Sequence, residues 1–134
     1  MSLSLHTALI STMVLVSAAD GDMTDREFNM IGKIIGTLPV FENYDEDHLV
    51  GDTRSIVDMV HNEDLEVFIR KIKAVLPKKL HDLAYALACD VAVCDQQLSQ
   101  EELRLLEIIR HELDIDRLNA AAIERGTAVR FVRL

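Results

Sequence analysis

The apolar positions of this chain recur at helical spacing, and almost nowhere do they alternate as a strand would. Two stretches, about 3–19 and about 79–94, are apolar nearly all round, the pattern of a helix buried on most sides. Each is followed by an amphipathic stretch: Phe28, Ile31 and Ile35 in the first case, Leu103, Leu106 and Ile109 (with Ile108 beside it) in the second. Within 79–94, Ala84, Ala88 and Ala92 recur every four residues, a row of small side chains that lets a neighbouring helix approach closely. Ile56, Val57 and Val60, then Leu65, Phe68, Ile69, Ile72 and Leu76, predict helices over about 46–61 and 63–76, the latter stopped by Pro77. A last helix is expected over about 115–125, capped by Asp114 or Asp116 and ended by Gly126, with the tail 127–134 alternating weakly as an extended segment. The expected fold is all-α: a compact bundle of about seven helices with no sheet.

The two helix pairs are related. At an offset of 75 residues, Asp20 falls on Asp95, Met23 on Leu98, Thr24 on Ser99, Glu27 on Glu102, Phe28 on Leu103 and Ile31 on Leu106. His6 falls on His81 at the same offset. The bundle is therefore expected to rest on an internal duplication, with repeat halves at about 3–37 and 79–112 inside one domain spanning 1–134. Thr24-x-x-Glu27 and Ser99-x-x-Glu102 are both capping boxes, where hydroxyl and carboxylate each take a backbone amide of the helix start. Each half thus reads as helix, short acidic elbow, helix.

Composition narrows the function. With 134 residues and 49% apolar content the chain can bury one core, which argues against intrinsic disorder. Fourteen Lys and Arg against 23 Asp and Glu give a net charge of −9, a surface that repels phosphate backbones and favours cations or basic partners. Nucleic-acid binding is not expected. The charge is also segregated: Glu42 to Glu66 holds nine carboxylates against Arg54 alone, whereas Phe68 to His81 holds Arg70, Lys71, Lys73, Lys78 and Lys79 without an acid. Cys89 and Cys94, five apart on one helix, point to different sides and form no zinc motif, so reduced thiols in a cytoplasmic protein are expected. The apolar stretch Ala8–Ala19 superficially suggests a signal peptide. It has no preceding Lys or Arg, is too short to span a bilayer, and has a twin in mid-chain, so it reads as a core helix.

The candidate chemistry lies in the elbows. In Asp20-Gly21-Asp22-Met23-Thr24-Asp25-Arg26-Glu27, Asp20 stands at the negative end of a helix dipole, with Asp22 and Glu27 nearby. Three carboxylates around one tight turn repel each other unless a cation sits among them, and a hard ion such as Ca²⁺ or Mg²⁺ takes oxygen ligands of this kind. The competing reading is structural: Glu27 caps a helix, Asp22 forms a turn and Asp20 is solvated. The spacing is not that of an EF-hand, since the sixth position from Asp20 is Asp25 and the twelfth is Ile31. The second elbow offers Asp95, Gln97 and Glu102, with one charge fewer and Gln96 in place of Gly21, so weaker binding or a structural role is expected there. Asp90 is a further neighbour, on an i, i+4 stripe with Asp82 and Ala86 that could simply face water. Asp58-x-x-His61 and Glu107-x-x-x-His111 have the residue types of a di-iron bundle but lack its second Glu-x-x-His and extra Glu residues. His6 and His81 are expected to be packed or hydrogen-bonded. No phosphate loop, nucleophile elbow or Ser/Cys–His pairing is present.

The duplicated helix–acidic elbow–helix, with Ala-Asp-Gly followed by Glu27, resembles the TerB-like family of bacterial tellurite-resistance proteins. The resemblance is tightest over 12–35 and 87–110. It implies a small, all-helical, mainly cytoplasmic domain, linked to stress resistance through protein assemblies near the membrane, whose acidic positions bind divalent metal. On this chain those positions are Asp20, Glu27, Asp95 and Glu102, with Asp22 as a neighbour; Cys94 and Gln96 depart from Ala-Asp-Gly in the second elbow. The expected function is a non-enzymatic domain that holds a divalent cation at an elbow and docks protein partners, without spanning the membrane. The rival reading is a metal-dependent hydrolase or oxyanion reductase built on the same carboxylates with His61, His111 or Cys89.

Overall fold

Residues 3–19, 21–94 and 98–134 are described by a computed structural model, and among them are seven α-helices and no strand. Helix α1 (Leu5–Ser17) is apolar nearly all round and is accordingly buried all round: every residue from Thr7 to Ser17 is buried. Its three deeper hydroxyls need no outside partner. Ser11 donates to the carbonyl of Thr7 at 2.6 Å, Thr12 to that of Leu9 at 2.7 Å, and Ser17 to that of Met13 at 2.9 Å. Helix α5 (His81–Val93) is the second central element and packs most extensively on α1. The row Ala84, Ala88 and Ala92 is wholly buried.

Amphipathic helices surround this pair and turn their apolar stripes inward. Helix α2 (Asp25–Thr37) buries Ile31, Ile34 and Ile35; α3 (Leu49–Asn62) buries Leu49 and Ile56; α4 (Leu65–Val75) buries Phe68, Ile69 and Ile72; and α6 (Gln100–Glu112) buries Leu105, Leu106 and Ile109. Sequence boundaries hold to within a few residues. The segment expected at 46–61 opens with one 3₁₀ turn, Glu46–His48, before α3, and α4 starts with Asp64 accepting from the amide of Val67 at 3.4 Å. A cap that the residue pattern did not suggest starts α1, where Ser4 and Thr7 exchange side-chain-to-backbone hydrogen bonds.

The C-terminal expectation was wrong. Helix α7 (Arg117–Arg130) runs through Gly126 and takes in most of the supposed extended tail. Its start is capped by Asp116, whose carboxylate accepts from the amides of Leu118 and Asn119 at 3.1 and 3.2 Å. A helical glycine costs about 1 kcal/mol against alanine. Tertiary bonds beyond it oppose that cost: Thr127 and Arg130 both donate to Asp90 of α5, at 3.3 and 2.5 Å. One turn earlier Tyr85 donates to Glu124 at 2.6 Å, and near the start of α7 Asn119 donates to Asp82 at 3.1 Å. The stripe on α5 that could have faced water is therefore the docking face for α7.

A leucine at Ala88 has no room in this packing. Ala88→Leu is expected to lower unfolding free energy by about 1–3 kcal/mol in urea titrations, while Ala86→Leu, on the half-buried side of α5, should cost less.

Candidate functional site

The first elbow joins α1 to α2. The amide of Ala19 donates to the carbonyl of Val16 at 3.2 Å, and Gly21 follows with φ +137°, a conformation strained for any residue with a side chain. Thr24 then caps α2: its hydroxyl accepts from the amide of Glu27 at 3.1 Å, and Glu27 Oε1 accepts from the amide of Thr24 at 2.9 Å. Glu27 is only 3% exposed, so this carboxylate lies inside the elbow and not on its surface. Asp22 is exposed. Asp20 lies outside the described residues.

The second elbow has the same capping geometry. Glu102 Oε1 accepts from the amide of Ser99 at 3.0 Å, the Ser99 hydroxyl accepts from the amide of Glu102 at 3.0 Å, and Glu102 is again 3% exposed. Asp95 and Gln97 lie outside the described residues. Helices α2 and α6 begin and end at positions matched by the 75-residue offset seen in the sequence. Both capping carboxylates are buried, and a buried carboxylate is held by hydrogen bonds such as these. Among the described residues, no three His, Cys, Asp or Glu side chains form a set that could hold a metal.

The other candidates are dispersed. Asp58, His61, Glu107 and His111 are all exposed, unlike the inward-facing ligands of a di-iron bundle. His6 donates through Nε2 to the carbonyl of Val40 at 2.9 Å and rests against Phe41 and Tyr44, with ring centroids 5.7 and 5.5 Å away. His81 donates in the same way to the carbonyl of Leu76 at 3.0 Å. Both are packed, hydrogen-bonded histidines. Cys89 and Cys94 are buried and are not joined in a disulfide. Burial pushes the Cys89 thiol up from 9.0 to about 12, outweighing the opposing effect of the neighbouring Tyr85 hydroxyl, and keeps it from acting as a thiolate nucleophile near neutral pH. Tyr85 itself is held well above its ordinary range by burial and by the Glu124 hydrogen bond.

The charged surfaces are unequal once folded. The basic segment is largely committed to internal pairs: Arg70 to Glu66 and Glu112, at 3.8 and 3.6 Å, Lys71 to Glu63, and Lys73 to Asp114 at 2.7 Å. The Lys73 ammonium holds the Asp114 carboxyl below its usual range. In the acidic segment Glu42, Asp45, Glu46, Asp47, Asp58 and Asp64 all remain exposed. Asp52 is engaged, accepting from Tyr44 at 2.6 Å.

The family model described as Tellurite resistance protein TerB matches residues 6–125. The chain belongs to the TerB family. No curated protein and no solved structure gives a significant match. The match covers α1 through most of α7, so both elbows lie inside the TerB region. The chain is thus a tellurite-resistance-type helical domain, of a family that is generally non-enzymatic. No helix among the described residues is long and apolar enough to cross a membrane. The side-chain bonds that join α5 to α7 were not visible in the sequence, because Asp90, Glu124 and Arg130 carry no motif and meet only through the fold.

Removing either cap hydroxyl is expected to be costly: Thr24→Ala and Ser99→Ala should each lower stability by about 1 kcal/mol, read from urea midpoints. Cys89 gives a pH signature. Its folded thiol keeps its proton to about 12 while the unfolded one releases it near 9.0, so its contribution to stability is lost as pH rises through that window. Urea midpoints should fall across it, less steeply in Cys89→Ala, and native Cys89 should resist alkylation at neutral pH until the chain is denatured.

Proposed function

We propose that this TerB domain is a non-enzymatic, metal-responsive module of the stress response that holds a divalent cation at the first elbow and docks protein partners. Asp20, Asp22 and Glu27 would supply the oxygen ligands. The observation that carries the reading is the buried Glu27 carboxylate, fixed beside a glycine-dependent turn and flanked in sequence by two further acids. These donors are all hard oxygens, which suits Ca²⁺ or Mg²⁺ in preference to a thiophilic ion. Bound there, the cation would neutralise the acids and fix the angle between α1 and α2, the only chemistry asked of it.

The second elbow, with Asp95 and Glu102, is proposed as a weaker or purely structural counterpart arising from an internal duplication. Gly21 adopts a backbone conformation that its counterpart Gln96 would adopt only under strain. The exposed acids of 42–64 supply a surface for basic partners, in cytoplasmic assemblies that can sit near a membrane without crossing it.

Ca²⁺ or Mg²⁺ titration of chelator-treated protein should raise the melting temperature, and calorimetry should give a single dominant site. Asp20→Asn should abolish the rise, while Asp95→Asn should leave most of it. A melting temperature that ignores both ions in the wild type overturns the metal reading.

A further inference from the structure

Helix α5 carries α6 on one side and α7 on another, and the two flanking helices do not close over it completely. A groove of about 470 Å³ remains among the three, within the range of sites that bury a ligand. Its floor is Cys89 and Val93 of α5, its α6 wall carries Leu103 and Leu106, and its α7 wall carries Thr127 and Ala128. Leu103 is 43% exposed, a large apolar side chain at the position where the first elbow has Phe28 half-buried against the core. An acid stands on each wall: Glu107 on α6, in a surface pair with Arg104 at 3.6 Å, and Glu124 on α7, accepting from Tyr85. Arg110 is the one cation of the lining.

An apolar floor between two acid-bearing walls is complementary to an amphipathic helix whose apolar stripe is flanked by Lys or Arg. The net charge of −9 steers the same class of partner and repels an acidic one. We propose that the α5–α6–α7 groove docks an amphipathic helix of a basic protein partner, its apolar stripe on Val93, Leu103 and Leu106 and its flanking cations beside Glu107 and Glu124. This rests on the docking half of the function proposed above and is independent of the metal half.

The test uses the whole chain and a labelled helical peptide of Leu and Lys, Leu at i, i+3, i+4 and i+7, roughly 18 residues long to span about five turns. Fluorescence anisotropy should show saturable binding, and amide shifts should concentrate in α5, α6 and α7. Leu103→Glu should weaken binding at least about tenfold. Glu107→Lys should weaken it several-fold, more at low than at high salt. Both positions are exposed, so melting curves should show folded protein; should Leu103→Glu fail to fold, Glu107→Lys decides.

Equal binding of a scrambled peptide, or of one with Glu replacing Lys, overturns the proposal, as does absence of binding. Shifts centred on residues 42–64 and untouched by Leu103→Glu overturn the groove while leaving partner docking intact. Laurate binding in the groove without peptide binding, or a self-associated chain that covers it, also overturns it. Repeating the titration with Asp20→Asn separates the two readings, since groove binding should persist there.

Discussion

The structure depends on one constraint: a helix buried on every side must satisfy its own polar groups. From Thr7 to Ser17, helix α1 has no exposed side chain. Its backbone amides and carbonyls are paired by the helix itself, and Ser11, Thr12 and Ser17 return their hydroxyls to carbonyls three or four residues back. A strand or loop in this position would need outside partners for its backbone. The all-round apolar sequence therefore forces a helix, and the helix forces the rest of the chain to wrap it. Every amphipathic helix from α2 to α6 shares contacts with α1.

The elbows follow from that arrangement. In each elbow a central helix hands the chain to a peripheral one, from Ser17 to Asp25 and from Val93 to Gln100. Capping boxes at Thr24 and Ser99 satisfy the orphaned amides at these starts. They also draw Glu27 and Glu102 inward, where each is nearly inaccessible. Helix starting and carboxylate burial are thus the same event. At Glu27 the fold holds the capping carboxylate in a defined orientation inside the elbow.

Much of this was legible because it is local. Capping boxes, the Pro77 stop and the apolar stripes of α2, α4 and α6 are patterns within a few residues, and they reappear in the fold almost unshifted. The path of α7 was not legible. Gly126 is a sound local stop signal, overridden by Asp90, which lies thirty-odd residues away in sequence and holds Thr127 and Arg130. The charge runs illustrate the same divide. As sequence, 68–81 is a basic patch; as structure, its cations largely face Glu63, Glu66, Glu112 and Asp114, and the free charge of the surface is mainly acidic. In the candidate site, Glu27 and Asp22 could be named from the sequence, but the burial that distinguishes them could not.

This surface bears on how a tellurite-resistance domain can work. Tellurite is an oxyanion, and a chain of net charge −9 repels it at long range. Reduction by thiolate would need a nucleophile, yet the Cys89 thiol is desolvated and held to about 12. The same net charge is favourable for a cation and for a basic protein surface. At long range, then, the electrostatics of this chain favour a cation over the oxyanion. On the function proposed above, such a domain would act on tellurite stress through what it assembles, with the chemistry carried elsewhere.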